Sequence, residues 1–248
     1  MHTGQVENAL IIGGGSGMGR GSALALARLG VRVFVADLDL EAAGQTARLI
    51  AESGGQALAL AVDVSSPDSV VALFDQVRAR TSALDLLVHT AAILGRTAFI
   101  DEVTDEEWRR MTAINLDGPF YCCREAVRWM KQTGGGRIIL FSSVAALTPT
   151  PGAVPYSAAK GGVNMLAKSL AAEAARHNIR VNVIAPGYIE TPMLAGLPEG
   201  FDRYILKKTP LGRFGRVEEI AGLVSFFASP EADFFTGQVI SPNGGLVI

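Results

Sequence analysis

Short apolar runs recur along the chain, separated by stretches of helical spacing. "NALIIG", "VRVFVADL", "QALALAVDV" and "LDLLVHTAA" alternate with "SALALARLG", "EAAGQTARLIAESG" and "SVVALFDQVRAR". The runs are rich in Val, Leu and Ile with little polar alternation, the pattern of strands covered on both faces. A parallel sheet satisfies it, because each crossover helix lies on a face and shields it. The second half continues in kind, with a helical stretch over about 105–131, the strand "RIILFSS", a helix after "PTPGAVPY", the strand "IRVNVIAP" and a last strand near "GQVIS". An α/β fold is expected, a doubly wound sheet of seven parallel strands with helices on both faces. The regularity breaks over 188–215, where Pro, Gly and apolar residues mix without a strand signal; a mobile segment with short helices over a site is expected there.

The length of 248 residues suits one α/β unit, so 1–248 is read as a single catalytic domain. Hydrophobic residues make up 49% of the chain, more than a core needs, and a homo-oligomer would cover the surplus. Charge changes the picture by exclusion. With 22 Lys+Arg against 24 Asp+Glu and no basic stripe, no nucleic-acid partner is expected. The adjacent pair Cys122 and Cys123 forms no disulfide framework and has no metal-ligand spacing to His2, His89 or His177, so neither disulfide nor metal is expected. No leader pattern and no long apolar run is seen, which predicts a cytoplasmic protein without a membrane partner.

Five glycines crowd "LIIGGGSGMGRG" between Gly13 and Gly19. A nucleoside-triphosphate loop, a dinucleotide cradle and a plain turn compete for this stretch. In the first, Arg20 stands where Lys is required and Gly21 where a hydroxyl must hold Mg²⁺. The strict GxGxxG register also fails, whereas Gly13, Gly17 and Gly19 fit a GxxxGxG loop between a strand and a helix. Asp37, about 20 residues on at the end of the second strand, is placed to bind ribose hydroxyls. Glycine lets backbone approach a pyrophosphate, and the N–H groups and dipole of the helix from about Gly17 favour that anion.

"PYSAAK" sets Tyr156 and Lys160 at i, i+4, on one helical face, with Pro155 suited to a first helical turn. A phenol of pKa near 10 must fall by about 3 units, worth roughly 4 kcal/mol, to act as a base near neutrality. A neighbouring ammonium and a positive cofactor ring supply such a field. No GxSxG elbow exists, and His89 reads as the end of a buried strand rather than as a base.

With these motifs the chain resembles the short-chain dehydrogenase/reductase family, over about Ala9–Gly245. The resemblance implies a single Rossmann-type domain, a nicotinamide cofactor and a homotetramer. It assigns Ser143, 13 residues before Tyr156, to the substrate oxygen, Tyr156 to proton exchange, Lys160 to the nicotinamide ribose and the Tyr156 pKa, and Asn115 to a relay water. Ser142 is expected to pack inward. The cofactor would meet Gly13, Ser16, Gly17, Met18, Gly19, Asp37, Leu38, Asp63, Val64, Thr90, Ala91, Tyr156, Lys160, Pro186, Ile189 and Thr191. Two departures stand out: Ile12 occupies the family's usual Thr, and "HTAA" (89–92) replaces Asn-Asn-Ala-Gly. A hydroxyl tether of the loop is thereby lost, and compensation is to be sought in "HTAA".

Asp37 would repel a 2′-phosphate, and neither Ser16 nor Leu38 is the Arg that NADP-preferring members often carry there, so NAD is expected. An apolar secondary alcohol or ketone is expected as substrate, in a pocket of Ser143, Leu94, Val154, Tyr188, Met193, Leu197 and Tyr204. Two alternatives stand beside this reading. One is reduction of 3-oxoacyl thioesters, against which Gly134 and His177 occupy places where carrier-protein reductases tend to be basic; the other is a non-catalytic NAD-binding regulator. Small residues Gly161, Gly162, Ala167 and Ala171 in the Tyr/Lys helix are expected to permit close contact with a second subunit.

Overall fold

Each apolar run that lacks a water-facing side forms a strand. The computed structural model describes residues 6–196 and 200–248. Strands β1 (Asn8–Ile12), β2 (Arg32–Asp37), β3 (Ala57–Ala61), β4 (Leu86–His89), β5 (Gly136–Phe141), β6 (Ile179–Ile184) and β7 (Val239–Ile240) lie parallel in the order β3-β2-β1-β4-β5-β6-β7. This is the expected Rossmann-type doubly wound sheet. The order reverses between β1 and β4, and the crevice beyond the carboxyl ends of those strands is where such sheets hold ligands.

Eight helices flank the sheet among the described residues: α1 (Gly17–Arg28), α2 (Leu40–Glu52), α3 (Pro67–Arg78), α4 (Asp105–Thr112), α5 (Gly118–Thr133), α6 (Val154–Ala174), α7 (Phe201–Lys208) and α8 (Val217–Ala228). Side-chain alternation along the strands builds two cores. Leu10, Phe34, Leu87, Leu140 and Val181 face α3, α5 and α6, while Ile11, Val35, Val88, Ile139 and Ile184 face α1, α2 and α8. Each fully buried aliphatic side chain contributes about 1.5–3 kcal/mol. Both cysteines lie reduced in the first of these cores.

The helical stretch around 105–131 is divided. α4 and α5 are joined through a π-helical segment, Ala113–Asp117, that carries Asn115, and α5 runs to Thr133 before Gly134 ends it at φ 96. The segment 188–215 holds a 3₁₀ turn, Pro192–Gly196, and α7. The small residues of α6 need correction as a docking face. Ala167 and Ala171 are buried against the sheet, and a Cβ on Gly162 would strike the Leu116 side chain at 2.8 Å, so close packing at these positions is internal; space is open only at Gly161. Among the described residues no helix is long and apolar enough to cross a membrane, and no group of three metal-ligating side chains occurs.

Candidate active site

The glycine loop leaves β1 and folds back on the sheet before α1 begins. Gly13 and Gly14 donate their N–H groups to the Ala36 carbonyl at 2.8 and 3.1 Å. Gly13 has φ +80, and a Cβ there would lie 2.6 Å from the Ala91 nitrogen; a Cβ on Gly19 would run into the Gly13 carbonyl. These two glycines therefore let the loop pack on itself and on the end of β4. Gly17 opens α1 at φ +49. The side chains of Asp39, Ser66 and Thr104 cap α2, α3 and α4, but the Ser16 hydroxyl does not cap α1, and no acid lies in its first turn. The first N–H groups of α1 remain available to an anion.

The missing hydroxyl at Ile12 is replaced from across the strand pair. Ile12 is fully buried, and Thr90 Oγ1 donates to the carbonyls of Ile12 (2.8 Å) and Gly13 (3.1 Å). Asp37 serves the loop as well, accepting from the N–H groups of Gly15 (2.8 Å) and Asp39 (3.1 Å). Its carboxylate is thus oriented at the mouth of a cleft of about 310 Å³. That cleft is lined by Gly13, Ser16, Gly17, Met18, Gly19, Asp37, Leu38, Asp63, Val64, Thr90, Ala91 and Thr191. A glycine-floored trough, an uncapped helix N-terminus and a carboxylate at the far end fit a dinucleotide. Pro186 and Ile189 line the adjoining cavity instead, with Met18, Thr191 and Met193 shared by both.

Beyond β5 the chain turns so that two serines point apart. Ser142 is buried and donates to the Lys160 carbonyl at 3.0 Å, as expected of the inward residue. Ser143 accepts from the Ala145 N–H at 3.2 Å and shares a cavity wall with Tyr156, whose phenol pKa its hydroxyl lowers. Tyr156 is 8% exposed on α6. Burial pushes its pKa up, and only the Ser143 hydroxyl opposes that rise. This departs from the expectation that Lys160 lowers the phenol pKa: the ammonium lies 5.9 Å from the ring centroid and is directed to the Phe141 carbonyl at 2.9 Å. Desolvation lowers Lys160 itself to about 8. Asn115 is fully buried, its amide clamped on the Ile93 main chain (N–H 2.9 Å, carbonyl 2.8 Å) and beside Met111 Sδ at 2.8 Å. The sequence carries no local sign of this Ile93 clamp, because it joins residues 22 apart through tertiary packing.

Tyr156 and Ser143 front a cavity of about 180 Å³, walled by Leu94, Val144, Ala145, Pro151, Tyr188, Met193, Leu194 and Phe201. Val154 and Tyr204, expected in its wall, lie outside it. Val154 is the first residue of α6 and exposed, and Tyr204 is exposed on α7, beside Phe201 and under Lys208 Nζ at 4.4 Å from its ring centroid. Leu197 falls outside the described residues. Arg96, the cation on this cavity's rim, is already held by Glu107 at 2.5 and 3.1 Å.

Comparison with known proteins extends this picture. Residues 13–247 match the family model described as Enoyl-(Acyl carrier protein) reductase. The chain is 38% identical to a cis-4-hydroxycyclohexanecarboxylate dehydrogenase of Sinomonas cyclohexanicum, over 96% of this chain and 95% of that one. It is 39% identical to a cyclohexanol dehydrogenase of Acinetobacter sp. (strain SE19), covering 95% and 93%, and 36% identical to a 3-oxoacyl-(acyl-carrier-protein) reductase of Thermotoga maritima, covering 96% and 97%. Among solved structures it superposes on a short-chain type dehydrogenase/reductase from Mycobacterium marinum with TM-score 0.94 at 34% identity, covering 98% and 96%. A 7 alpha-hydroxysteroid dehydrogenase complexed with NADH and 7-oxo glycochenodeoxycholic acid matches with TM-score 0.93 at 30% identity, covering 97% and 94%.

Proposed function

The chain belongs to the short-chain dehydrogenase/reductase family of oxidoreductases, and on that premise we propose that it interconverts an apolar, cyclic secondary alcohol and its ketone with NAD. One observation carries the reading: the Tyr156 phenol and the Ser143 hydroxyl stand together in the wall of an apolar cavity that shares Met18, Thr191 and Met193 with the glycine-lined cleft. When bound in that cleft, a nicotinamide ring supplies the hydride acceptor or donor. Ser143 holds the substrate oxygen, and Tyr156 takes the hydroxyl proton during oxidation and returns it during reduction. Because burial raises the phenol, oxidation quickens as pH rises toward the phenol pKa, and reduction shows the opposite slope. Asn115, Ser143, Tyr156 and Lys160 are the proposed catalytic set, and Asp37 is the proposed discriminator against a 2′-phosphate.

The test is formation of NADH from cyclohexanol, 4-hydroxycyclohexanecarboxylate and linear secondary alcohols. Tyr156→Phe is expected to lower kcat at least about a hundredfold while NADH still binds, since a positioned acid–base group contributes 10²–10⁴-fold. A variant that retained turnover would exclude Tyr156 as the proton carrier, and better kcat/KM with NADPH would exclude the cofactor assignment.

A second reading, reduction of a 3-oxoacyl thioester on an acidic carrier, is favoured by one surface feature. The positive fields of Lys131 and Arg176 both act on His177, at the ends of α5 and α6, so charge is present close to the places where Gly134 and His177 lack it. Turnover of an acetoacetyl thioester with no response to cyclic alcohols would select this reading.

A further inference from the structure

His89 ends β4 where alternation turns its side chain to the face that carries Leu87, toward α5 and α6. It is 2% exposed and pairs in register with Leu140 of β5 and Ile12 of β1. A leucine would suit that setting; an imidazole there has Nε2 buried without a hydrogen-bond partner among the described residues. A hydrogen bond to its own main chain raises the imidazole pKa, the sign given by a ring N–H donating to a carbonyl. The proton is therefore assigned to Nδ1, leaving the Nε2 lone pair as an acceptor in need of a donor.

The nearby donor is Lys160. Its ammonium reaches the Phe141 carbonyl, one residue beyond the register partner of His89, and its charge acts on the imidazole. One of its three N–H groups is engaged there, and no carboxylate balances it among the described residues. No other charged group acts on His89 from β1, β5, α5 or α6 among the described residues. We propose that His89 is a positioning residue: Nε2 accepts from the Lys160 ammonium through one bridging water, and holds that ammonium charged and in place behind Tyr156. The proposal deepens the oxidoreductase reading and rests on it for its kinetic consequence only. Protonation of His89 would put two like charges together, and burial and Lys160 hold its pKa down at about 3, so the imidazole stays a neutral acceptor across the working range.

Two measurements decide it. In ¹⁵N-labelled full-length protein, with the His89 signal identified by its loss in His89→Gln, Nε2 is expected to remain unprotonated at pH 5 and to shift when Lys160 is changed to Met. A ring that titrates near 6.5, or an Nε2 signal indifferent to Lys160→Met, overturns the proposal. In kinetics, His89→Leu removes the acceptor, so Lys160 loses its proton more readily. The alkaline fall of kcat/KM for ketone reduction is expected roughly one pH unit lower, with kcat down about tenfold. His89→Gln, which offers an amide oxygen, is expected to restore the wild-type profile to within about twofold. Variants that lose only thermal stability and keep the pH profile mark His89 as a packing residue and overturn the proposal. A wild type with no Tyr156-dependent turnover refutes the functional reading instead, and the labelled protein then decides the role of His89 alone.

Discussion

Thr90 donates a single hydroxyl proton between two carbonyls, those of Ile12 and Gly13, at the point where β1 becomes the glycine loop. The Ile12 carbonyl also receives the N–H groups of Thr90 (2.8 Å) and Ala91 (3.2 Å), so the Gly13 carbonyl depends more on the hydroxyl. Thr90→Val keeps the shape and removes the donor. It is expected to cost about 1 kcal/mol of stability, the usual net worth of such a bond, and to weaken NADH binding several-fold by loosening Gly13. Denaturant melts and a fluorescence titration measure both. The converse change separates this chain from its family's usual pattern. Ile12→Thr installs the common residue at a fully buried position whose register partner on the same face, His89, has Nε2 without a donor. A hydroxyl bonded to Nε2 would offset most of the cost of burying it, so a change within about 1 kcal/mol is expected, and a loss of about 2–3 kcal/mol would show that the new hydroxyl finds no acceptor.

At the scale of elements, α1 is left uncapped where α2, α3 and α4 are capped, and the omission sits at the mouth of the cofactor cleft. A residue that capped the helix would compete for the same N–H groups that a pyrophosphate needs. Ser16→Asp is therefore expected to add about 0.3–1 kcal/mol of stability while weakening NADH binding at least tenfold, because its carboxylate stands where the phosphates are proposed. Thermal shift with and without NADH reads both effects, and an unchanged affinity would remove the phosphates from the α1 N-terminus. The strands and the glycine loop could be read from sequence because burial on both faces writes an unbroken apolar run, and because a loop between strand and helix has few glycine registers. The π segment around Asn115 left no such mark, since it depends on how α4 and α5 meet. Ala167 and Ala171 were legible as small but not as inward, because smallness suits a sheet contact and a subunit contact equally. Val154 and Tyr204 are legible as apolar residues of segments that border the pocket, but the start of α6 and the outer side of α7 direct them to solvent, which composition does not reveal.

In the molecule as a whole, the site is assembled where the sheet order reverses, and its cation is carried inside the fold. Lys160 is 2% exposed, and burial lowers it from 10.5 to about 8. Below pH 8 both folded and unfolded chains hold the proton, and the folded state bears the full cost of the buried charge. Between pH 8 and 10.5 the unfolded chain binds more protons than the folded one, so this contribution makes the protein more stable as pH rises through that window. His89 acts at the other end. Its folded pKa of about 3 lies below the ordinary 6.5, so stability falls as pH drops from 6.5 toward 3, where unfolding takes up a proton that the native imidazole refuses. Lys160→Met removes the first term, keeping the length of the side chain and losing the charge. Its unfolding midpoint at pH 7 is expected to exceed that of the wild type by a few degrees, with activity abolished, and the difference should shrink steadily from pH 8 to 10.5. His89→Leu should separate from the wild type on the acid side, holding its midpoint better between pH 6.5 and 3. Melting curves taken across pH 3–11 for the three proteins test both windows together. A Lys160→Met advantage that did not change with pH would mean that the lysine titrates near its ordinary value, and the site would then hold a solvated cation rather than a desolvated one.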